Sequence, residues 1–150
     1  MRASLPCGAV ALALVLIGAM VGASGLRAPQ KPDDLARARV DLARRIYGQT
    51  EEQLKNLPAV GAEGDRLSQT FAELALWSRR WMEAEHDLDG ARASRVTALE
   101  AHLKRLKSWE DVGVELIRGE ASSLTQLALD KLSYDRLGAE YELSRLKIGD

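Results

Sequence analysis

Residues 65–91, DRLSQTFAELALWSRRWMEAEHDLDGA, decide the fold because apolar and small side chains recur in them at seven-residue intervals. One series consists of Leu67, Leu74, Trp81 and Leu88. A second series falls three residues after each of these, as Thr70, Trp77, Ala84 and Ala91. This is the a/d spacing of helices that pack side by side and nearly parallel. The stretch therefore predicts an α-helix that opens at Asp65 and packs along a coiled-coil seam.

The heptad pattern slips at Asp89-Gly90, after which a new apolar series begins. A glycine directly after a periodic segment commonly ends a helix, whereas a continuous helix would need a four-residue stutter here. We expect a break and a third helix, whose inward positions are Val96, Leu99, Leu103, Leu106, Gly113 and Ile117. A last helix is expected from after Gly119 to about Lys147, with one face formed by Leu129, Leu132, Ala139, Leu143 and Leu146.

On the N-terminal side of the seam, a first helix is expected from Asp33 to about Leu57, because two acidic residues suit a helix start. Its apolar stripe is expected at Leu35, Ala38, Leu42, Ile46, Leu54 and Leu57. Pro58 and two following glycines then break the chain. Strand signals are missing throughout. The predicted class is all-α, an antiparallel helical hairpin or coiled-coil bundle of three to four helices in one domain over residues 33–150.

The N-terminal segment differs from the rest of the chain. Residues 8–23, GAVALALVLIGAMVGA, are uncharged and apolar and follow Arg2, which is the pattern of a secretory signal. We expect a signal peptide over residues 1–23, removed after Ala23 or Gly25, a linker over residues 24–32, and a protein exported to the periplasm or cell envelope or secreted. An uncleaved anchor is the alternative, since a spanning helix needs about 20 apolar residues. Membrane contact is expected only in that case.

Composition makes several chemistries improbable. Cys7 is the only cysteine and falls in the expected signal peptide, so a trimmed chain would have no disulfide and no cysteine metal site. The formal net charge of −1 does not favour a nucleic-acid partner. Neither a Gly-x-Ser-x-Gly elbow nor a phosphate-binding loop occurs. We therefore expect no enzymatic activity, no catalytic residue and no cofactor.

Two short acidic patterns resemble metal sites but are incomplete. Glu83 and His86 share a helix face as in di-iron bundles, yet a second Glu-x-x-His is missing, and His102 is the only other histidine. Residues 85–90 resemble the start of a calcium loop, but Val96 stands where the bidentate acid is required. We expect no metal site, and we expect Asp89-Gly90 to mark a helix end.

A pair of tryptophans is the candidate partner contact. Trp77 and Trp81 lie four residues apart, with Arg79 and Arg80 between them. Aromatic and arginine side chains are typical of the energetic centres of protein interfaces. The a and d spacing of the two tryptophans also places them in a helical core, so both interpretations stay open at this point.

The segment from Leu116 to Glu140 resembles the helical hairpin of TolC-type outer-membrane efflux factors, and the resemblance extends over about residues 112–147. In that family a glycine followed by small or hydroxyl residues marks the turn, and here Gly119, Ala121 and Ser122 take those positions. Ala139-Glu140 takes the place of a later Ala-Glu pair. The resemblance implies an antiparallel hairpin but no channel, because the barrel strands of that family have no counterpart here. The stretch from Trp77 to Glu85 is similar to small exported helical proteins, which implies no activity.

The sequence favours a non-catalytic, exported coiled-coil protein that binds a protein partner, or itself, through heptad seams and scaffolds in the cell envelope. Its seam residues either bury within the chain or meet a second copy: Leu74, Trp81, Leu88, Leu99, Leu103 and Leu106. One alternative is a four-helix bundle that holds a small ligand or metal, with Arg95 and Glu110 as the nearest inward polar residues. The other is a membrane-tethered helical stalk.

Overall fold

The computed structural model describes residues 31–57, 64–119 and 124–148, and within them it contains helices and no strand. The four helices are α1 (Pro32–Lys55), α2 (Gly64–Leu88), α3 (Arg92–Arg118) and α4 (Gln126–Ile148). The predicted all-α class with three to four helices is confirmed. The expected signal peptide lies outside the described residues, as does the linker up to residue 30.

The expected break between the second and third helices is confirmed, since α2 ends at Leu88 and α3 begins at Arg92. Asp89 stabilises the start of α3. Its Oδ1 accepts a hydrogen bond from the backbone N–H of Ala91 (3.0 Å), and its Oδ2 accepts one from the Ser94 hydroxyl (2.5 Å). The hydrogen bond from Ser94, with that from Ala91, lowers the pKa of the Asp89 carboxyl. Asp89 therefore stabilises the junction between α2 and α3.

α2 lies at the centre of the fold and runs antiparallel to both α1 and α3. Arg39 of α1 pairs with Asp87 near the end of α2 (2.6 Å), and Phe71 near the start of α2 packs edge-on against Trp109 of α3. α3 and α4 form an antiparallel hairpin, in which Lys147 bonds Glu100 (2.7 Å). The backbone of α1 approaches only α2 among the described helices. The molecule is thus a three-helix core of α2, α3 and α4 with α1 attached along α2.

The core forms where the heptad positions of α2 meet α3 and α4. Leu74, Phe71 and Leu106 are almost completely buried, and the inward positions predicted for α3 and α4 are buried or half-buried. Gly113 marks the closest approach, because a Cβ there would lie 3.0 Å from Leu129 Cδ1 and 3.3 Å from Phe71 Cε1. The last heptad of α2 is different, since Leu88 and Ala91 are exposed where the helix ends.

The expected apolar stripe of α1 is wrong at Leu35, Ala38 and Leu42, all of which are exposed. Leu35 and Leu42 are 48 % and 51 % exposed, and the buried face consists of Val40, Ala43, Tyr47, Thr50 and Leu54. These positions also follow a heptad, but two of them carry hydroxyl groups. Thr50 satisfies its hydroxyl by donating to the Ile46 carbonyl oxygen (2.9 Å), which permits its burial. The leucines of α1 lie on the face that points away from α2.

A network of ion pairs fixes the register of α4 on α3. Glu110 accepts a hydrogen bond from the Ser133 hydroxyl (2.5 Å), and its other oxygen lies 2.5 Å from Arg136 Nε. Glu140 binds Arg136 (2.9 Å) and Lys107 (3.0 Å). Because these pairs hold one rotational setting of α4, they also determine which of its side chains point outward.

Candidate functional site

The outward side of α4 carries a row of large apolar side chains. We define the outer seam of α4 as Leu127, Tyr134, Leu137, Tyr141 and Ile148, which are between 54 % and 80 % exposed. Four of them are spaced by seven residues, and Leu137 falls three residues after Tyr134. This is the a/d spacing of a coiled coil. The a positions of a heptad are therefore apolar on this surface, whereas among the d positions Leu137 is apolar and Asp130 and Ser144 are polar.

α4 is apolar on two faces, which is unusual for a surface helix. On the inner face Leu129, Leu132 and Ala139 are buried, and Leu143 and Leu146 pack against the core. The outer seam exposes on the order of 600 Å² of side chain, at the upper end of the largest patch of a typical monomer. A patch of that size marks an interaction surface more often than an ordinary exposed face.

Two charged residues and a glycine lie within the same outward stripe. Asp130 accepts a hydrogen bond from Gln126 Nε2 (2.8 Å), and the Arg145 guanidinium lies 5.9 Å from the centre of the Tyr141 ring. Within the described part of the chain, neither Asp130 nor Arg145 forms an ion pair. Space beyond Gly138 is open, since an added Cβ would meet nothing within 4 Å.

A second surface feature is a groove of about 550 Å³ between α1 and α3, with α2 beneath it. We define the aromatic groove by Arg44, Tyr47, Trp81, Arg105 and Trp109. The Tyr47 and Trp81 rings are 5.7 Å apart, and the Trp109 indole N–H donates to the Tyr47 hydroxyl across the groove (2.8 Å). Burial raises the pKa of the Tyr47 hydroxyl, so it stays neutral. The hydrogen bond joins two helices whose backbones do not touch.

Arg105 sits in this groove without a carboxylate partner. Its guanidinium stacks over Trp81 at 4.1 Å, and its Nε donates to the Ser78 hydroxyl (2.8 Å). Burial lowers the pKa of Arg105, which means that its charge is partly removed from water. Among the described residues no acid lies within ion-pair distance of it, whereas the neighbouring Arg44 is 3.7 Å from Glu85.

Behind the groove, Ser78, His102 and Arg105 form a buried polar network. Ser78 Oγ lies 2.7 Å from His102 Nδ1, and both side chains are almost fully buried. Since Arg105 donates to Ser78, the arrangement that satisfies all three groups has Ser78 donating to a neutral His102. Burial, with the charges of Arg105 and Arg79, lowers the pKa of His102 to about 4. Ser78 is only 1 % exposed, and its hydroxyl is taken up by this network.

The four residues of the predicted partner contact do not share one surface. Trp77 and Trp81 are half-buried against the core, and Arg80 stacks over Trp77 at 4.6 Å. Arg79 instead points to α4 and binds Asp135 (2.5 Å). Trp81 becomes the floor of the aromatic groove. The structure thus brings Trp81 together with Tyr47 and Trp109, which the sequence did not connect.

Of the predicted hairpin turn, Gly119 directly follows the last residue of α3, and its backbone N–H donates to the Glu115 carbonyl oxygen (3.0 Å). Ala121 and Ser122 lie outside the described residues. The antiparallel hairpin that they were expected to close is present, as α3 and α4.

The candidate metal patterns contribute no site in the described ranges. Glu83 is exposed and His86 is half-exposed, and no three histidine, cysteine, aspartate or glutamate side chains of residues 31–57, 64–119 and 124–148 are grouped to hold a metal. Arg95 is exposed, and Glu110 belongs to the ion-pair network of α3 and α4. None of the four helices is long and apolar enough to cross a membrane.

The outer seam was missed at the level of sequence although its spacing is visible there. Positions 127, 134, 141 and 148 repeat every seven residues, but the inner face of α4 offers a second apolar set with similar spacing. The sequence alone did not show that the neighbouring helices, α2 and α3, cover one apolar face of α4 and leave the other exposed.

Comparison with known proteins gives no match, since no family model, curated protein or solved structure matches this chain. The resemblance of residues 112–147 to the efflux-factor hairpin therefore stays a prediction. Function has to be argued from the chain's own residues.

Proposed function

We propose that this chain is a non-catalytic, exported helical protein that works in the cell envelope by binding another helix along the outer seam of α4. The observation that carries the proposal is the exposure of five large apolar side chains at heptad spacing on a helix whose other face is already packed. Exposed apolar surface of this extent is unfavourable in water unless a partner covers it.

The spacing supports a helical partner. A seven-residue repeat keeps one stripe facing a neighbouring helix over its whole length, and each side chain then fits between four residues of that neighbour. The seam runs from Leu127 to Ile148, about 32 Å at 1.5 Å per residue. Its two tyrosines are of the type enriched in interface cores, where the ring is buried and the hydroxyl finds a polar partner.

The test compares two double substitutions with the same spacing on different helices. Tyr134→Glu/Tyr141→Glu places charges in the outer seam, and Leu35→Glu/Leu42→Glu does the same on the exposed face of α1. The full chain is expressed in cells, and the mass of the recovered protein is measured by sedimentation. We expect the unaltered chain to sediment above the 16.4 kDa of one copy, and the tyrosine variant to lose the complex.

The leucine variant is expected to keep the complex, because Leu35 and Leu42 lie outside the seam. Circular dichroism of both variants checks that the helices persist. A tyrosine variant that keeps its complex, or equal losses in both variants, would contradict the proposal.

A second candidate function, binding of a small aromatic anion, is favoured by one observation, the lack of a carboxylate partner for Arg105. Lys104 and Arg44 also line the aromatic groove, together with Glu51. Glu85 accepts a hydrogen bond from the Trp81 indole N–H (2.7 Å) and pairs with Arg44 (3.7 Å), so Arg105 and Lys104 are the cations left for an anion. An anion with a planar apolar body would pair with the cations and stack on Trp81 and Trp109. This corresponds to the ligand-binding alternative, with the ligand at the surface of the bundle.

The three tryptophans allow a direct test by NMR. We expect 2-naphthoate to shift the indole N–H signals of Trp81 and Trp109 but not that of Trp77, which lies outside the groove. Neutral 2-naphthamide should bind at least about tenfold more weakly, because its amide cannot form the charge-assisted hydrogen bonds that a carboxylate forms with Arg105 and Lys104. Lys104→Glu should weaken binding, and Lys131→Glu, the same change on α4, should not. Equal shifts with the neutral compound would exclude an anion site.

A further inference from the structure

We infer that the helix bound by the outer seam of α4 is α4 of a second copy, lying antiparallel to the first. The inference rests on the proposed function and names its partner. It is carried by a symmetry in the outward stripe of α4, by the charges in that stripe, and by the space at its centre.

The outward stripe is palindromic about the point between Leu137 and Gly138. Residues at equal distances from this point are of matching size or opposite charge, namely Tyr134 with Tyr141, Asp130 with Arg145, and Leu127 with Ile148. At 3.6 residues per turn all of them lie within a stripe roughly 100° wide. A two-fold axis through the midpoint of the stripe therefore places each residue opposite its counterpart.

A contact with two-fold symmetry uses the same surface on both copies. In the antiparallel arrangement Asp130 of each copy faces Arg145 of the other, so two ion pairs form at the two ends of the contact. In a parallel arrangement Asp130 would face Asp130 of the partner, which is unfavourable. Neither residue forms an ion pair within the described part of its own chain, so both charges are available.

The centre of the stripe is shaped for close approach. Leu137 of one copy would lie against Gly138 of the other, and the space beyond Gly138 is open. The two tyrosines on either side of this point are 78 % and 63 % exposed, and antiparallel pairing stacks Tyr134 on Tyr141 of the partner. At the axis, Leu137 thus meets Gly138 of the other copy, and on either side of the axis the Tyr134 and Tyr141 rings pack together.

The area and the charges favour a second copy over the apolar segment at the start of the chain. If a partner covered the outer seam completely, on the order of 600 Å² per copy would be buried, below the roughly 800 Å² per partner of a standard interface. We therefore expect a reversible dimer, with a dissociation constant on the order of micromolar. Residues 8–26 carry no charge and would leave Asp130 and Arg145 unpaired. The stripe is therefore complementary to itself and not to that segment.

Charge reversal tests the arrangement in the full chain recovered from cells, with the dimer dissociation constant measured by sedimentation equilibrium. Asp130→Arg creates two Arg–Arg contacts and Arg145→Asp two Asp–Asp contacts, so each should weaken the dimer at least tenfold. The combined variant restores both ion pairs, so its dissociation constant should return to within about threefold of that of the unaltered chain. A tenfold change in the dissociation constant corresponds to about 1.4 kcal/mol. Asp111→Arg, the same change on the exposed surface of α3, should have no effect.

Cysteine cross-linking reports the direction of the helices. In a Cys7→Ser background, chains with Asp130→Cys should form disulfides with chains that carry Arg145→Cys, and neither variant should cross-link efficiently with itself. Preferential Asp130→Cys self-cross-linking would show parallel helices and overturn the inference.

The outcomes separate this inference from the proposed function. If the unaltered chain is monomeric at about 100 µM, well above a micromolar dissociation constant, the inference is wrong. The proposed function survives in that case only if Tyr134→Glu/Tyr141→Glu still abolishes a complex with a different helical protein. If a dimer persists in both charge variants and in the tyrosine variant, both proposals fail. A complex of the α4 seam with residues 8–26 would likewise overturn the inference.

Discussion

His102 shows how a polar side chain is accommodated in the core. Its ring accepts a hydrogen bond from Ser78, which in turn accepts one from Arg105, so three polar groups satisfy one another among apolar neighbours. At the level of sequence, His102 has no second Glu-x-x-His residue with which it could hold a metal. Its real partner lies 24 residues earlier, on a different helix, and only the packing of α2 against α3 brings the two together.

We expect His102 to make the protein less stable in acid. In the folded chain its pKa is about 4, because burial and the charges of Arg105 and Arg79 disfavour the charged ring, whereas the ordinary value is 6.5. The unfolded chain therefore binds more protons between these values. Acidification from about pH 6.5 to about pH 4 should remove up to about 3 kcal/mol of unfolding free energy through this group.

Urea unfolding at about pH 7.5 and about pH 4.5 measures this effect. His102→Gln is the matched variant, since glutamine can accept the Ser78 hydrogen bond but does not titrate. It should show a smaller loss of stability on acidification than the unaltered chain. Equal losses in the two proteins would show that carboxylates, and not His102, cause the acid sensitivity.

At the scale of single helices, α1 and α4 depart from the expected pattern in opposite ways. α1 buries a mixed face of Val40, Tyr47 and Thr50 and exposes two leucines, while α4 is apolar on both sides. In each case the number of neighbouring helices decides which face is covered. Among the four described helices, α1 has one neighbour and α4 has two, both on its inner side.

Two glycines in helices should respond oppositely to larger side chains. Gly48 lies in the middle of α1 with open space around it, so Gly48→Ala should stabilise the fold by about 0.5–1 kcal/mol through helix propensity. Gly113 lies against Leu129 and Phe71, and Gly113→Leu should destabilise it by about 1–3 kcal/mol through overpacking. Thermal unfolding followed by circular dichroism measures both. A Gly113→Leu variant as stable as the unaltered chain would mean that α3 can move away from α4, and a destabilised Gly48→Ala variant would contradict the open space at Gly48.

At the scale of the whole molecule, the aromatic groove exists because α1 packs against α2 and against no other described helix. A closed four-helix bundle would bring α1 against α3 or α4 and bury Trp81 completely. Instead Tyr47 and Trp109 are joined by one hydrogen bond, and the Arg105 guanidinium stacks over the Tyr47 and Trp81 rings. The same open arrangement leaves the outer seam of α4 without a neighbouring helix among the described residues.

The fate of the N-terminal segment remains a prediction at this scale. Because the slim Val21 and the small Ala23 and Gly25 suit removal of a signal peptide, we expect the exported protein to begin at Ser24 or Leu26. N-terminal sequencing of the product checks this. Ala23→Leu combined with Gly25→Leu should prevent removal. A product that still begins at Met1 in the membrane fraction would favour the tethered stalk.

The sequence by itself determined the helical class, the break at Asp89-Gly90 and the inward faces of α3 and α4. These depend on local signals, namely heptad spacing, a terminating glycine and the lack of strand patterns, each of which acts within a few turns of one helix. The expected stripe of α1 was only partly correct, because the leucines of a helix do not show how many neighbours it has.

Only the tertiary structure decided which apolar faces were covered and which polar residues met. The aromatic groove joins residues from three helices, and the outer seam is defined by the absence of a neighbour within the described part of the chain. Burial and hydrogen bonding depend on distances between segments far apart in the sequence. A helical pattern fixes which side chains share a face, but free energy is gained only where another element approaches that face.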